Sequence, residues 1–180
     1  KISLPTTPYL TSIYYILSSA EAASNLARYD GIHSGEARDE LPTALRSKLF
    51  GPEVKRRILL GNFVLSAGYR DAYYERALRA RGAVIREYQA AFEEVDLLLT
   101  PMSVGRVPKC GEFAARPARM YDEDVHTVAA NLAGLPAISL VVEHAQGSPI
   151  GVQLLAERFR DGFLLQAAQR LELCLAGGVI

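Results

Sequence analysis

The stretch FGPEVKRRILLGNFVLSAGYRDAYYERALRARGAVIREYQAAFEEVDLLLTP, Phe50 to Pro101, decides the fold. Gly51 allows a bend, Pro52 suits a first helical position, and Glu53 favours the positive end of a helix dipole. Val54, Ile58, Gly61 and Leu65 recur at helical spacing and form one face, with Arg56 and Arg57 at its edge. Gly68 interrupts, Asp71 can restart, and a second helix is predicted to about Phe92. Its buried stripe reads Ala77, Ala80, Val84, Tyr88 and Ala91. Val95 to Thr100 is an apolar run stopped by Pro101 and predicts a buried strand. This helix–helix–strand unit needs the rest of the chain to cover it.

The 180 residues suit one domain with a real core, and 49% hydrophobic content excludes global disorder. Twenty basic and 20 acidic side chains cancel, which argues against a stand-alone nucleic-acid binder. Arg76, Arg79, Arg81 and Arg86 are the one basic cluster. They alternate with Glu75 and Glu87 and predict a solvated helix face. Cys110 and Cys174 stand far apart, with no metal or disulfide spacing, so a reducing cytosol is expected. No apolar run approaches membrane-spanning length, and KISLPTTPYL has no signal-peptide pattern. It opens as if inside a strand, without an initiator Met. The expectation is a piece of a longer polypeptide.

Working outward, Thr11 or Ser12 is expected to cap a helix running to about Tyr29, ended by Asp30-Gly31. A polar connection follows, with a short helical piece near Leu41 to Leu49. Met102 to Pro117 reads as a loop. Asp122, Glu123 and Asp124 predict the start of a helix that Gly134 stops. AISLVVE reads as a buried strand, HAQGSP as a turn and IGVQLLA as its hairpin or sheet neighbour. Asp161 is expected to cap a last helix with apolar face Leu164, Leu165, Ala168, Leu171 and Leu175, closed by Gly177-Gly178. The fold class is α/β.

Generic catalytic motifs are absent, and His33, His126 and His144 are scattered through different segments. Arg57 (or Arg56), Asp124 and Tyr14 form a sharper set. Arginine grips a carboxylate through a bidentate fork and a carboxylate grips an ammonium, so the pair can hold both ends of a free α-amino acid. On residue types alone the plainer reading stands ahead, with the arginines in a surface salt bridge and Asp122 to Asp124 serving a helix start.

Longer motifs shift that balance. SSAEAASNLARYDGI, FGPEVKRRILLGNFVLSAGYRDAYY, DLLLTP, and TVAANLAGLPAISL with PIGVQLLAERFRD resemble the C-terminal part of amidase-signature proteins, in order over nearly the whole chain. NLAGLPAIS and PIGVQL are general to that family. SSAEAASNLARYDG and GPEVKRRILLG are similar to the A subunits of glutamyl-tRNA(Gln)/aspartyl-tRNA(Asn) amidotransferases. The resemblance implies a mixed sheet covered by helices, residues 1–180 being the C-terminal part of one domain. It implies a glutaminase that delivers ammonia to convert a mischarged Glu-tRNA(Gln) or Asp-tRNA(Asn). Partner B and C subunits would carry ATP, Mg and most of the tRNA contact, with no membrane involved. The family's Ser–cis-Ser–Lys triad matches nothing here, so the chain alone is expected to be inactive and to have no cofactor. By motif position, Arg57 would hold the α-carboxylate of glutamine, Asp124 its α-ammonium, and Tyr14 would line the pocket. His33-Ser34, MSVGRVPKCG and Ala129 depart from the usual pattern. A stand-alone amidase for another small amide and a non-catalytic interaction module remain as alternatives.

Overall fold

The computed structural model describes residues 1–30, 41–105, 107–113, 117–145 and 147–177. Six α-helices and three strands are described: α1 (Leu10–Asn25), α2 (Pro42–Leu49), α3 (Pro52–Leu65), α4 (Tyr74–Glu94), β1 (Leu97–Pro101), α5 (Val128–Ala133), β2 (Ala137–Ala145), β3 (Ser148–Ala156) and α6 (Asp161–Leu175). A ten-residue 3-10 segment, Pro117–His126, precedes α5. The α/β class is borne out. Two compact units divide the chain. The larger comprises Lys1–Thr11 and Arg81–Ile180, the smaller Ser12–Ala80, and the divisions fall inside α1 and α4.

In the larger unit the described strands pair antiparallel in the order β1-β3-β2. Leu99 faces Leu154 and Thr100 faces Gln153 across β1 and β3. Ile138 faces Leu154 and Ser139 faces Gln153 across β2 and β3, with an irregularity between Val141 and Glu143. Strand side chains alternate between faces. Leu154 and Ala156 accordingly meet Leu164 and Ala168 of α6, joined by Leu97, Ile138 and Leu140. Thr6 ties the N-terminus to α4, its N–H and Oγ1 donating to Glu87 Oε2 at 3.0 and 2.7 Å.

In the smaller unit, Arg46 of α2 donates to the carbonyls of Leu26 and Tyr29, gathering the end of α1. The start of α3 follows the Gly51-Pro52-Glu53 reading, with Gly51 at the N-cap and Pro52 in the first turn. Along α4 the expected stripe is buried at Ala77, Val84, Tyr88 and Ala91 but only half-buried at Ala80; Ala77 and Ala80 belong to the smaller unit and the other three to the larger.

Several expectations are corrected. The first helix begins at Leu10, continuing a 3-10 turn at Thr7–Tyr9, so Thr11 and Ser12 lie inside it. The second long helix starts at Tyr74, not Asp71, after a run of turns from Ser66. Pro101 closes β1 from within, paired with Val152, a place open to proline on an edge strand. Asp122, Glu123 and Asp124 do not cap a helix. They lie in the 3-10 segment, and Thr127 takes the N-cap of α5. β2 is not buried: Ala137, Ser139 and Val141 are exposed while Ile138 and Leu140 are half-buried, because β2 borders the described sheet on one side only. Asp161 is the first residue of α6 and Arg160 its N-cap. Leu165 and Leu175 turn outward, leaving a narrower apolar stripe. Arg81 is half-buried rather than solvated. His33, Ser34 and Gly178 fall outside the described residues.

Candidate functional site

In the smaller unit the site begins with a glycine. A Cβ at Gly61 would lie 2.6 Å from the Ala23 Cβ and against the Ser19 carbonyl, so α3 approaches the backbone of α1 as only glycine permits. One turn earlier on each helix, the Arg57 guanidinium stacks over the Tyr15 ring, 5.2 Å from its centroid. Tyr14 meets Tyr15 edge-on, with centroids 5.3 Å apart and planes at 86°. One further turn back on α3, Glu53 Oε1 accepts from Arg57 Nε at 3.0 Å. Glu53 also pairs with Arg56 at 3.3 Å. The two arginines differ in setting: Arg57 is 30% exposed and packed on an aromatic ring, Arg56 is 43% exposed at the outer edge. Ser18 and Ser19 add buried hydroxyls with no hydrogen-bond partner among the described residues.

Asp124 belongs to the larger unit and is half-buried in the 3-10 segment. Its carbonyl accepts from the Thr127 N–H at 3.0 Å and from Thr127 Oγ1 at 3.1 Å. Two residues on, the His126 carbonyl accepts from Gln153 Nε2 at 3.0 Å, and the same nitrogen donates to Thr100 Oγ1 at 3.2 Å. α5 then ends at Gly134, whose φ of 68° is left-handed and whose N–H returns to Ala130 O at 2.8 Å. Arginines satisfy its last carbonyls. Arg158 donates through Nε and Nη2 to Ala133 O at 2.9 and 2.6 Å, and Arg81 Nε to Leu132 O at 2.8 Å.

The structure thus joins Tyr14 and Arg57 through Tyr15 within one unit, and places Asp124 in the other. Tyr15 was missed. Tandem tyrosines on a helix point in different directions, and only the position of α3 distinguishes them. Gln153 was missed as well. The signal was a single amide inside the apolar run VQLLA, which requires buried partners. A cavity of about 610 Å³ lies elsewhere in the larger unit, lined by Pro101, Ser103, Val107, Lys109, Ile150 and Gly151. No predicted site residue borders it. Among the described residues no three His, Cys, Asp or Glu side chains group to hold a metal, and Cys110 and Cys174 are exposed free thiols. No described helix is long and apolar enough to cross a membrane.

Comparison with known proteins supplies the family. The chain is 48% identical over 175 residues to the A subunit of glutamyl-tRNA(Gln) amidotransferase from Moorella thermoacetica, covering 94% of this chain and 36% of that protein. It is 49% identical over 179 residues to the A 2 subunit of the Clostridium acetobutylicum amidotransferase, covering 96% and 37%. It therefore spans about a third of the length of the curated relatives it matches. Among solved structures, the A subunit of glutamyl-tRNA(Gln) amidotransferase from Thermotoga maritima superposes with a TM-score of 0.69 at 34% identity, covering 96% of this chain and 34% of that one. An amidase superposes at 0.71 with 23% identity, covering 96% and 37%, a likeness of fold. The amidase family model matches residues 1–165, the span holding the Arg57 stack, the 3-10 segment and the hairpin, and the chain belongs to that amidase family.

Proposed function

We propose that this chain is the glutamine-recognition part of the glutaminase component of a tRNA-dependent amidotransferase. The observation that carries the reading is the Arg57 guanidinium, oriented by Glu53 and stacked on Tyr15 beside Tyr14. A planar fork backed by an aromatic face is suited to a carboxylate, and its orientation is settled before substrate arrives. Arg57 holds the α-carboxylate of glutamine, Asp124 its α-ammonium, and Tyr14 lines the pocket. Each charge favours a substrate that carries its counterpart over an amide that lacks it.

In this reading residues 1–180 are the C-terminal part of one amidase-signature domain. The Ser–cis-Ser–Lys triad lies in a part of the full-length protein that this chain does not match, so the chain alone binds without hydrolysing. Ammonia passes to cytoplasmic B and C subunits, where ATP and Mg serve amidation of Glu-tRNA(Gln) or Asp-tRNA(Asn). The 48% and 49% identities to the A subunits of two glutamyl-tRNA(Gln) amidotransferases support this assignment over a stand-alone amidase. The test is Arg57→Ala in the full-length protein within its complex. KM for glutamine is expected to rise about 30- to 100-fold, the usual cost of losing a charge-assisted contact. Hydrolysis of 4-aminobutyramide, which lacks the α-carboxylate, should be unchanged. Equal loss on both substrates would remove the assigned role.

A further inference from the structure

A 3-10 helix has poor hydrogen-bond geometry and rarely exceeds three or four residues. Pro117–His126 runs for ten, so it requires support from outside itself. Described side chains that brace its C-terminal end are Thr127, whose Oγ1 donates to the Asp124 carbonyl at 3.1 Å, and Gln153, which ties the end to the sheet. Gln153 lies mid-strand in β3 between Val152 and Leu154, is only 4% exposed, and points to the sheet face opposite α6. A primary amide there is costly unless its donors are used. Its Nε2 uses both, one sideways to Thr100 Oγ1 on β1 at 3.2 Å and one outward to the His126 carbonyl at 3.0 Å. The amide is thereby held by the sheet and holds the segment in turn. Asp124 sits two residues before that carbonyl, and its own carbonyl is tied to Thr127. Releasing His126 therefore loosens the segment that carries Asp124.

We infer that Gln153 is a positioning residue, which fixes the Asp124 carboxylate for an α-ammonium by clamping His126 to the sheet. The inference rests on the reading of Asp124 given under Proposed function. Gln153 does not touch substrate. Its effect reaches only the group that Asp124 recognises, and that separates it from a general role in packing.

The experiment compares glutamine with glutaric acid monoamide, which is glutamine without its α-amino group, in the full-length protein within its complex. Gln153→Met keeps the length of the side chain and removes both donors. KM for glutamine should rise about tenfold, the cost of roughly one well-placed hydrogen bond. Both kcat and the KM for the monoamide should be unchanged. If the Met variant does not fold, Gln153→Asn keeps the amide but falls one methylene short of His126, and should show the same selective rise. Equal loss on both amides, or full retention of glutamine KM, overturns the inference. Asp124→Asn is the control on the underlying reading. If that variant still prefers glutamine to the monoamide as strongly as the parent, the role of Asp124 fails, whatever Gln153 does. If the preference is lost in Asp124→Asn and intact in Gln153→Met, Asp124 stands and the clamp falls.

Discussion

At the scale of single residues, burial decides which polar groups matter. Arg57 pairs with Glu53 as helix neighbours do at i,i+4, a contact worth a few tenths of a kcal/mol on an exposed face. Its value here is orientation rather than stability. Ser18 and Ser19 show the reverse case, hydroxyls buried without partners among the described residues, an arrangement that costs free energy. Tyr88 offers a measurable consequence. It is 4% exposed, and its phenol is pushed above the ordinary tyrosine value by burial, with a smaller push from neighbouring Glu87. A raised folded value means that the folded state holds the proton more tightly. The resulting stability is complete below the unfolded value of about 10 and is lost as pH rises from there through the folded value. Thermal melts across that alkaline window should fall less steeply for Tyr88→Phe than for the parent, with equal slopes near neutrality. Parallel slopes throughout would show that Tyr88 contributes nothing to the alkaline loss.

At the scale of elements, legibility followed the strength of local chemistry. Gly51-Pro52-Glu53 marked the start of α3 because each residue type suits one position of a helix entry. The α4 stripe was readable because five apolar side chains kept helical spacing over four turns. The acidic trio misled for the same kind of reason. Asp-Glu-Asp before VHTVAANLAG is what a helix dipole favours, yet a 3-10 segment accepts those residues as well. AISLVV misled because a continuous apolar run fits a strand buried on both faces, and it says nothing of which neighbours flank the strand. Likewise, YY and KRR gave candidate residue types, while the choice of Tyr15 as the stacking partner came only from where α3 crosses α1. That crossing depends on Gly61. Gly61→Ala should destabilise the protein by about 1–3 kcal/mol through overpacking against Ser19 and Ala23, despite the better helix propensity of alanine. Urea unfolding checks this. A stability gain would mean that α3 can move away at no cost.

At the scale of the whole molecule, β1 and β2 each have one neighbour among the described strands, and both carry exposed apolar side chains, Leu99 and Val141. Strand edges of that kind invite pairing with other chains. No periodicity in the sequence reports such edges, because an edge depends on which strands lie alongside. The order of the sheet has a further consequence, in time rather than in space. The strands β2 and β3 are adjacent in sequence, α6 follows directly, and Arg158 reaches α5 across 25 residues. The strand β1 meets β3 only across a separation of about 53. Chain-closure entropy makes short-range contacts the cheaper ones to form first. The segment from α5 to α6 should therefore nucleate, and β1 should dock late. Destabilising substitutions in the hairpin would slow refolding, whereas Leu98→Ala in β1 would mainly speed unfolding. The larger unit would then assemble from α6 backward, with β1 arriving at a template already formed.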